Sequence, residues 1–213
     1  MICSCPIPTA IGNLTAPDCI ENIGTVGKLA FQRFRDSSGT SLALNNSIIA
    51  DDNPNILATW ASAKALLDDS KVTVLPTYLH NVEWTGGDAR QYGGGDETFA
   101  GAPVILGEEF MTMSADLIQV PQSLIQELKA YRCEANLGVY LIMDNGNIVG
   151  VVDDLSSPTV FKPFPISGLH ISSKVPGKRS APDMNKLSFQ VLEDWSDYLH
   201  VVTPSDFEAL IEL

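Results

Sequence analysis

The chain has 213 residues, 45% of them hydrophobic and 18% charged, with a formal net charge of −13. That is long enough to bury a real core in one large domain and globular in composition. The charge argues against a groove that grips a nucleic-acid backbone, which needs clustered Lys and Arg, and against anionic membrane surfaces. It does not exclude a surface that nucleic acid must pass without sticking, since a negative wall repels phosphate.

Sixteen Gly and thirteen Pro are scattered among short apolar runs, which favours a β-rich architecture. Residues 1–25 carry Pro6, Pro8, Pro17, Gly12 and Gly24 without clear periodicity. They read as an extended N-terminal arm, and 26–213 as a single domain. Ile2, Ile7, Ile11, Leu14, Ile20 and Ile23 are too many apolar residues for a solvated tail. They need a surface to lie on, their own domain's or a neighbouring subunit's.

Cys3, Cys5 and Cys19 fall in this arm, and Cys133 stands alone. No apolar leader precedes them, so reduced thiols made in the cytoplasm are expected. Cys3-Ser-Cys5 could be half a metal site, but no CxxC or nearby His completes it. No metal and no cofactor are predicted. No apolar run reaches the ~18 residues that a membrane span needs.

Lys28–Phe34 alternates and predicts a strand. Asp36–Ser41 is a turn or loop. Asp51-Asp52-Asn53-Pro54 predicts a helix start, with Asn53 as N-cap and Pro54 in the first turn. Ile56, Trp60, Ala63 and Leu67 then give a helical stripe, so a helix is expected over 54–68. Lys71–Pro76 predicts a second strand, closed or edged by Pro76.

Residues 77–109 are the least ordinary part. Between Trp84 and Asp96 there are five glycines, with Arg90 and Tyr92 among them. A loop this long inside a domain is usually functional or disordered. A contact loop that orders on assembly and a mobile hairpin tip are both compatible with it. Phosphate cradling is disfavoured: the Gly-Lys-Ser/Thr ending is absent, and Asp96-Glu97 would repel phosphate. Val104-Ile105-Leu106 returns as a short apolar strand.

Gln119–Asp154 is the most legible stretch. Pro121 can open a helix, and Leu124, Ile125, Leu128 and Tyr131 form one apolar face. Lys129 and Arg132 suit its C-terminal end. Asn136 and Gly138 could stop it in the left-handed conformation. Val139–Met143 is apolar on both faces, so a buried inner strand is expected. Asp144-Asn145-Gly146-Asn147 predicts a type I′ hairpin turn, and Ile148–Val152 returns antiparallel. The unit is a helix beside a central hairpin.

Beyond it, Phe161–Pro165 breaks regular structure. Leu169–Ser172 is a strand, and Leu187, Phe189 and Val191 mark the cleanest half-buried strand. Trp195 and Tyr198 flank a bend before the strand Leu199–Val202. Thr203-Pro204-Ser205-Asp206 predicts a capped helix with a stripe of Phe207, Leu210 and Ile211. The fold class expected is mainly β (α+β): a β-sandwich or barrel with one or two flanking helices and a long Gly-rich loop.

Catalytic signals are sparse. His80, His170 and His200 lie in no HExxH, and no GxSxG is present. Asp144–Asn147 begins like a calcium loop, but the spacing fails after it. The acid pairs sit at element ends, where solvation explains them. An enzyme is not expected.

The chain resembles virion structural proteins of tailed bacteriophages. The resemblance is carried by Cys5–Leu14, Ile20–Gly24, Ala89–Gly95 running into Gly101–Gly107, Asn136–Tyr140 and Asp194–Asp197. It is most similar to tail tube proteins. That resemblance implies a β-rich subunit forming stacked, hexameric rings with copies of itself and joining other tail proteins. DNA would pass through without specific binding, in the virion tail. Ile7, Ile11, Trp84, Arg90 and Tyr92 are the expected inter-subunit contacts, as large side chains on flexible extensions. A capsid decoration protein or a head–tail connector is the alternative within the virion.

Overall fold

The computed structural model describes residues 23–44, 54–95, 102–156, 158–179 and 181–213. The expected arm residues Ile7 and Ile11, the Cys3–Cys5 pair, Cys19 and the proposed N-cap Asn53 lie outside them. Among the described residues there are twelve strands: β1 (Val26–Arg33), β2 (Thr73–Val74), β3 (His80–Thr85), β4 (Ala89–Tyr92), β5 (Val104–Glu108), β6 (Met111–Ile118), β7 (Leu137–Met143), β8 (Ile148–Val152), β9 (Phe161–Lys162), β10 (Phe164–Ile171), β11 (Met184–Val191) and β12 (Leu199–Val202). The α-helices among the described residues are α1 (Leu57–Ala65), α2 (Gln122–Ala130) and the short α3 (Ala209–Glu212). The mainly β class with flanking helices is as expected.

Ten strands form one hydrogen-bonded sheet, in the order β12-β8-β7-β10-β11-β6-β3, with β1 and β2 branching from β7 and β9 from β8. It does not close into a barrel: β12 and β3 end the path. The sheet folds over at β10. Phe164 and Pro165 pair with Val139 and Gly138 of β7, whereas Ile166–Ile171 pairs with β11. One core lies between the layers so made. It joins Leu29, Val139 and Leu141 on one side to Met113, Leu117, Leu187 and Phe189 on the other. Ile125 and Leu128 of α2 belong to the same core.

β7 is buried over its whole length, which accounts for its continuous apolar run. Its second face meets another core, where Tyr140 and Ile142 pack with Trp60 of α1, Phe161 and Phe207. The Tyr140 ring meets Trp60 edge-on at 5.3 Å, and its hydroxyl donates to Gln32 Oε1 at 2.8 Å. Each fully buried Leu, Ile or Phe contributes roughly 1.5–3 kcal/mol, so this doubly covered strand is the energetic centre of the fold.

Several local expectations are corrected. The turn after β7 is not type I′. Gly146 has φ +85°, but Asn145 is not among the positive-φ residues. Gly146 N–H donates to Met143 O and Met143 N–H to Asn147 O. This is the pattern of a turn followed by a glycine bulge. Asn136 and Gly138 do not stop α2. The helix tightens into a 3₁₀ turn over Tyr131–Cys133 and leaves through extended Glu134. Gly138 instead lies in β7, where a Cβ would sit 2.8 Å from Pro163 and 3.1 Å from Phe164 O.

The helix expected over 54–68 runs only from Leu57 to Ala65. Pro54 lies before it, and its carbonyl accepts from Trp60 Nε1 at 2.8 Å. Asp206 does not start a helix of its own. Its Oδ1 accepts from Leu57 N–H at 3.0 Å, capping α1 from across the chain. α3 begins only at Ala209. Phe161–Pro165 is not irregular either. Pro163 separates β9 from β10, and Pro165 is tolerated where β10 makes only a two-residue contact with β7.

Candidate interaction surface

The expected long Gly-rich loop is corrected: the described residues of 80–118 carry four strands, β3 to β6, which pair antiparallel in two parts with a break between them. The lower part pairs β3 with β6, from His80 opposite Asp116 to Thr85 opposite Thr112. β6 alternates inward Met113, Ala115 and Leu117 with outward neighbours and adds β3 as the sheet's edge strand. The upper part pairs β4 with β5, Ala89 opposite Glu108 and Tyr92 opposite Val104. These two strands form a separate two-stranded ribbon.

The break is made by glycine. Gly86 and Gly87 have φ +101° and +81°, a region that side chains disfavour. A Cβ on Gly86 would fall 2.4 Å from Phe110 O. Glu109 N–H donates to Asp88 O at 2.8 Å across the break. Arg90 pairs with Glu193, clamping the ribbon's base to the segment after β11.

Above that clamp the ribbon is bare. All four residues of β4 are exposed. Tyr92 is 53% exposed, Ile105 68% and Leu106 63%. Tyr92 and Val104 are cross-strand partners, while Ile105 stands opposite Gln91. Adjacent β5 residues point to opposite faces, so apolar side chains occupy both sides of the ribbon. A two-stranded ribbon without a covering layer is marginal in water.

The expected contact residues therefore divide. Tyr92 lies on the bare ribbon. Arg90 is held by Glu193 within the chain. Trp84 lies in β3, half-buried, stacked on Trp195 with ring centres 5.4 Å apart and planes 4° from parallel. Phe164 meets Trp195 edge-on at 5.2 Å. Beside this stack an apolar cleft of about 270 Å³ is lined by Ile23, Met111, Val149 and Leu199 together with the two tryptophans. Sequence reasoning missed Ile105 and Leu106 as surface residues, because an apolar run carries no mark of exposure. The Trp84–Trp195 pair had a weak signal in two tryptophans near strand ends.

Among the described residues, no group of three or more His, Cys, Asp and Glu is placed to hold a metal ion. Cys133 is free and exposed. Burial lowers the pKa of His200, whose ring lies 6.4 Å from that of Phe161. Arg33 forks onto Glu134 at 2.9 and 3.0 Å and also pairs with Asp69. It ties β1 to the ends of two connections, and these bonds raise its pKa, the one from Glu134 most. No helix among the described residues is long and apolar enough to cross a membrane.

No protein-family model matches the chain, and no curated protein matches it. Among solved structures, one match is a chain of the virion of a native gene transfer agent particle. It is 12% identical, with a TM-score of 0.30, over 58% of this chain and 82% of that one.

Proposed function

We propose that this protein is a virion structural subunit of the tailed-bacteriophage type, one that assembles with copies of itself into stacked rings of a tail tube. The observation that carries self-assembly is the β4–β5 ribbon. It projects beyond the Arg90–Glu193 clamp with apolar residues on both faces, and burying them against a second copy would remove that surface from water. The virion setting rests on the sequence resemblance and on the net charge of −13, which suits a conduit for DNA. In this reading the subunit is a building block with no catalytic role and no cofactor, joined to other tail proteins at the ends of the tube.

Negative-stain microscopy of the purified protein is the test. Rings or long hollow tubes are the expected result, and a monomer at high concentration overturns the proposal. Compact oligomers that bind only capsids would replace the tube with a decoration role. Ile105→Glu with Leu106→Glu should abolish assembly and leave a folded monomer. Normal tubes from that variant would remove the ribbon from the interface.

A further inference from the structure

The layer β10-β11-β6-β3 has ends of opposite charge. β11 is eight residues long, about 27 Å at ~3.4 Å per residue. It pairs with β6 from Met184 opposite Ile118 to Val191 opposite Met111. At its Met184 end stand Lys174, Lys178 and Arg179, all exposed. The segment that carries them is built into the sheet. Val175 bridges Met184, Lys178 bridges Ala181, and Lys174 Nζ donates to Val120 O at 3.2 Å. The N-terminus of α2 shares a recess with Lys174 and Lys178. It has no side-chain cap and no acid in its first turn, so its dipole adds to the positive field. Asp183 lies beside them, its Oδ1 accepting from Gly177 N–H at 2.6 Å. Among the described residues, no carboxylate forms an ion pair with these three cations.

At the Val191 end, Asp88, Glu109, Asp194 and Asp197 are exposed. Glu109 N–H donates to Asp88 O just before β6, and Asp197 N–H to Asp194 O just after β11. Arg90 is taken by Glu193. The bare β4–β5 ribbon rises from this same end. The opposite end exposes the cross-strand pair Val175 and Met184, 51% and 37% accessible. Each end thus offers what the other lacks, in charge and in apolar surface.

We propose that copies of this chain stack head to tail through these two ends. Lys174, Lys178 and Arg179 of one copy face Asp88, Glu109 and Asp197 of the next, and the ribbon lies on Val175 and Met184. Complementary charge fixes register and suppresses the wrong orientation, because like ends repel. A contact between two different patches is heterologous, so it propagates in one direction unless its rotation closes a ring. The column so made has a fixed polarity along β11. The inference rests on the self-assembly reading and adds the direction and chemistry of the stacking contact.

Salt gives the first test, on the full chain by electron microscopy. Copies of net charge −13 repel one another, and salt relieves that repulsion, whereas it weakens contacts between opposite charges. Raising NaCl from about 0.1 M to about 1 M shrinks the Debye length from ~10 Å to ~3 Å. Tubes should be lost over that range, and unchanged or longer tubes overturn the proposal. Charge reversal gives the second test. Lys178→Glu with Arg179→Glu, and separately Glu109→Lys with Asp197→Lys, should each stop stacking. The two variants mixed should stack again, a rescue that misfolding cannot produce. Tubes from either variant alone, or none from the mixture, overturn the proposal. A wild-type chain that stays monomeric at every salt concentration condemns the assembly reading itself. Wild-type tubes with indifferent variants condemn the head-to-tail contact alone.

Discussion

Trp84 and Trp195 lie face to face, centres 5.4 Å apart, although 111 positions separate them in the chain. The pair joins edge strand β3 to the segment between β11 and β12, and Trp195 passes the contact on to Phe164. Truncating a large aromatic at such a junction loses both buried area and the ring contact. Trp195→Ala should cost about 2 kcal/mol, less than a fully buried Trp. A double-mutant cycle with Trp84→Ala should show coupling of roughly 0.5–1.5 kcal/mol by urea unfolding. Additive losses would mean that the stacking contributes nothing.

Asp206 caps α1 from a distant segment. Asp206→Ala should therefore destabilise by about 1 kcal/mol, the usual worth of a capping side chain. Asp206→Asn should keep most of that stability, because the amide oxygen can accept the same bond. Equal losses from both variants, measured as thermal midpoints, would show that charge rather than capping matters.

Gly138 touches Pro163 where β7 and β10 meet. Gly138→Ala inserts a methyl into backbone and proline ring, neither of which can swing away. The expected cost is roughly 1–3 kcal/mol. Gly146→Ala offers a contrast, because its cost comes from φ +85° with nothing within 4 Å of the added Cβ. Pro163→Ala combined with Gly138→Ala should recover part of the first loss and none of the second.

His200 links stability to pH. Its folded-state pKa lies below the ordinary 6.5 because burial disfavours the charged ring. Between the folded value and 6.5 the unfolded chain binds more protons, so stability rises with pH in that window and falls on acidification through it. His200→Gln should flatten the unfolding midpoint between pH 7 and 5. An unchanged slope would assign that window to other groups. Asp36 and Asp153 act lower. Hydrogen bonds depress both carboxyl pKa values, those to Ser38 and Thr159 foremost. Their stabilisation is present above the unfolded carboxylate value and lost as pH falls towards the folded one.

The legible parts of the fold were those set by near neighbours. The apolar run of β7, its returning partner β8 and the stripe of α2 all follow from residues within one element. The turn between β7 and β8 was found but mistyped, since Asn-Gly serves a glycine bulge as well as type I′. The hairpin through β3, β4, β5 and β6 was illegible because its glycines punctuate the pattern where the strands merely kink. The cap of α1 by Asp206 and the clamp of Arg90 by Glu193 join residues more than a hundred positions apart. No local period announces such pairs. Of the expected contact residues, the exposure of Tyr92 and the intrachain partners of Trp84 and Arg90 all required the fold.

β10 has main-chain bonds to both layers, to β7 through Phe164 and Pro165 and to β11 through the rest of its length. A pull on the ribbon tip would travel along β6, across to β11 and through β10 into β7. Between β6 and β11 eight paired positions would have to shear together, whereas the crossing from β10 into β7 rests on Phe164 and Pro165 alone. Load carried through the main-chain bonds from one layer to the other would therefore concentrate on that two-residue junction.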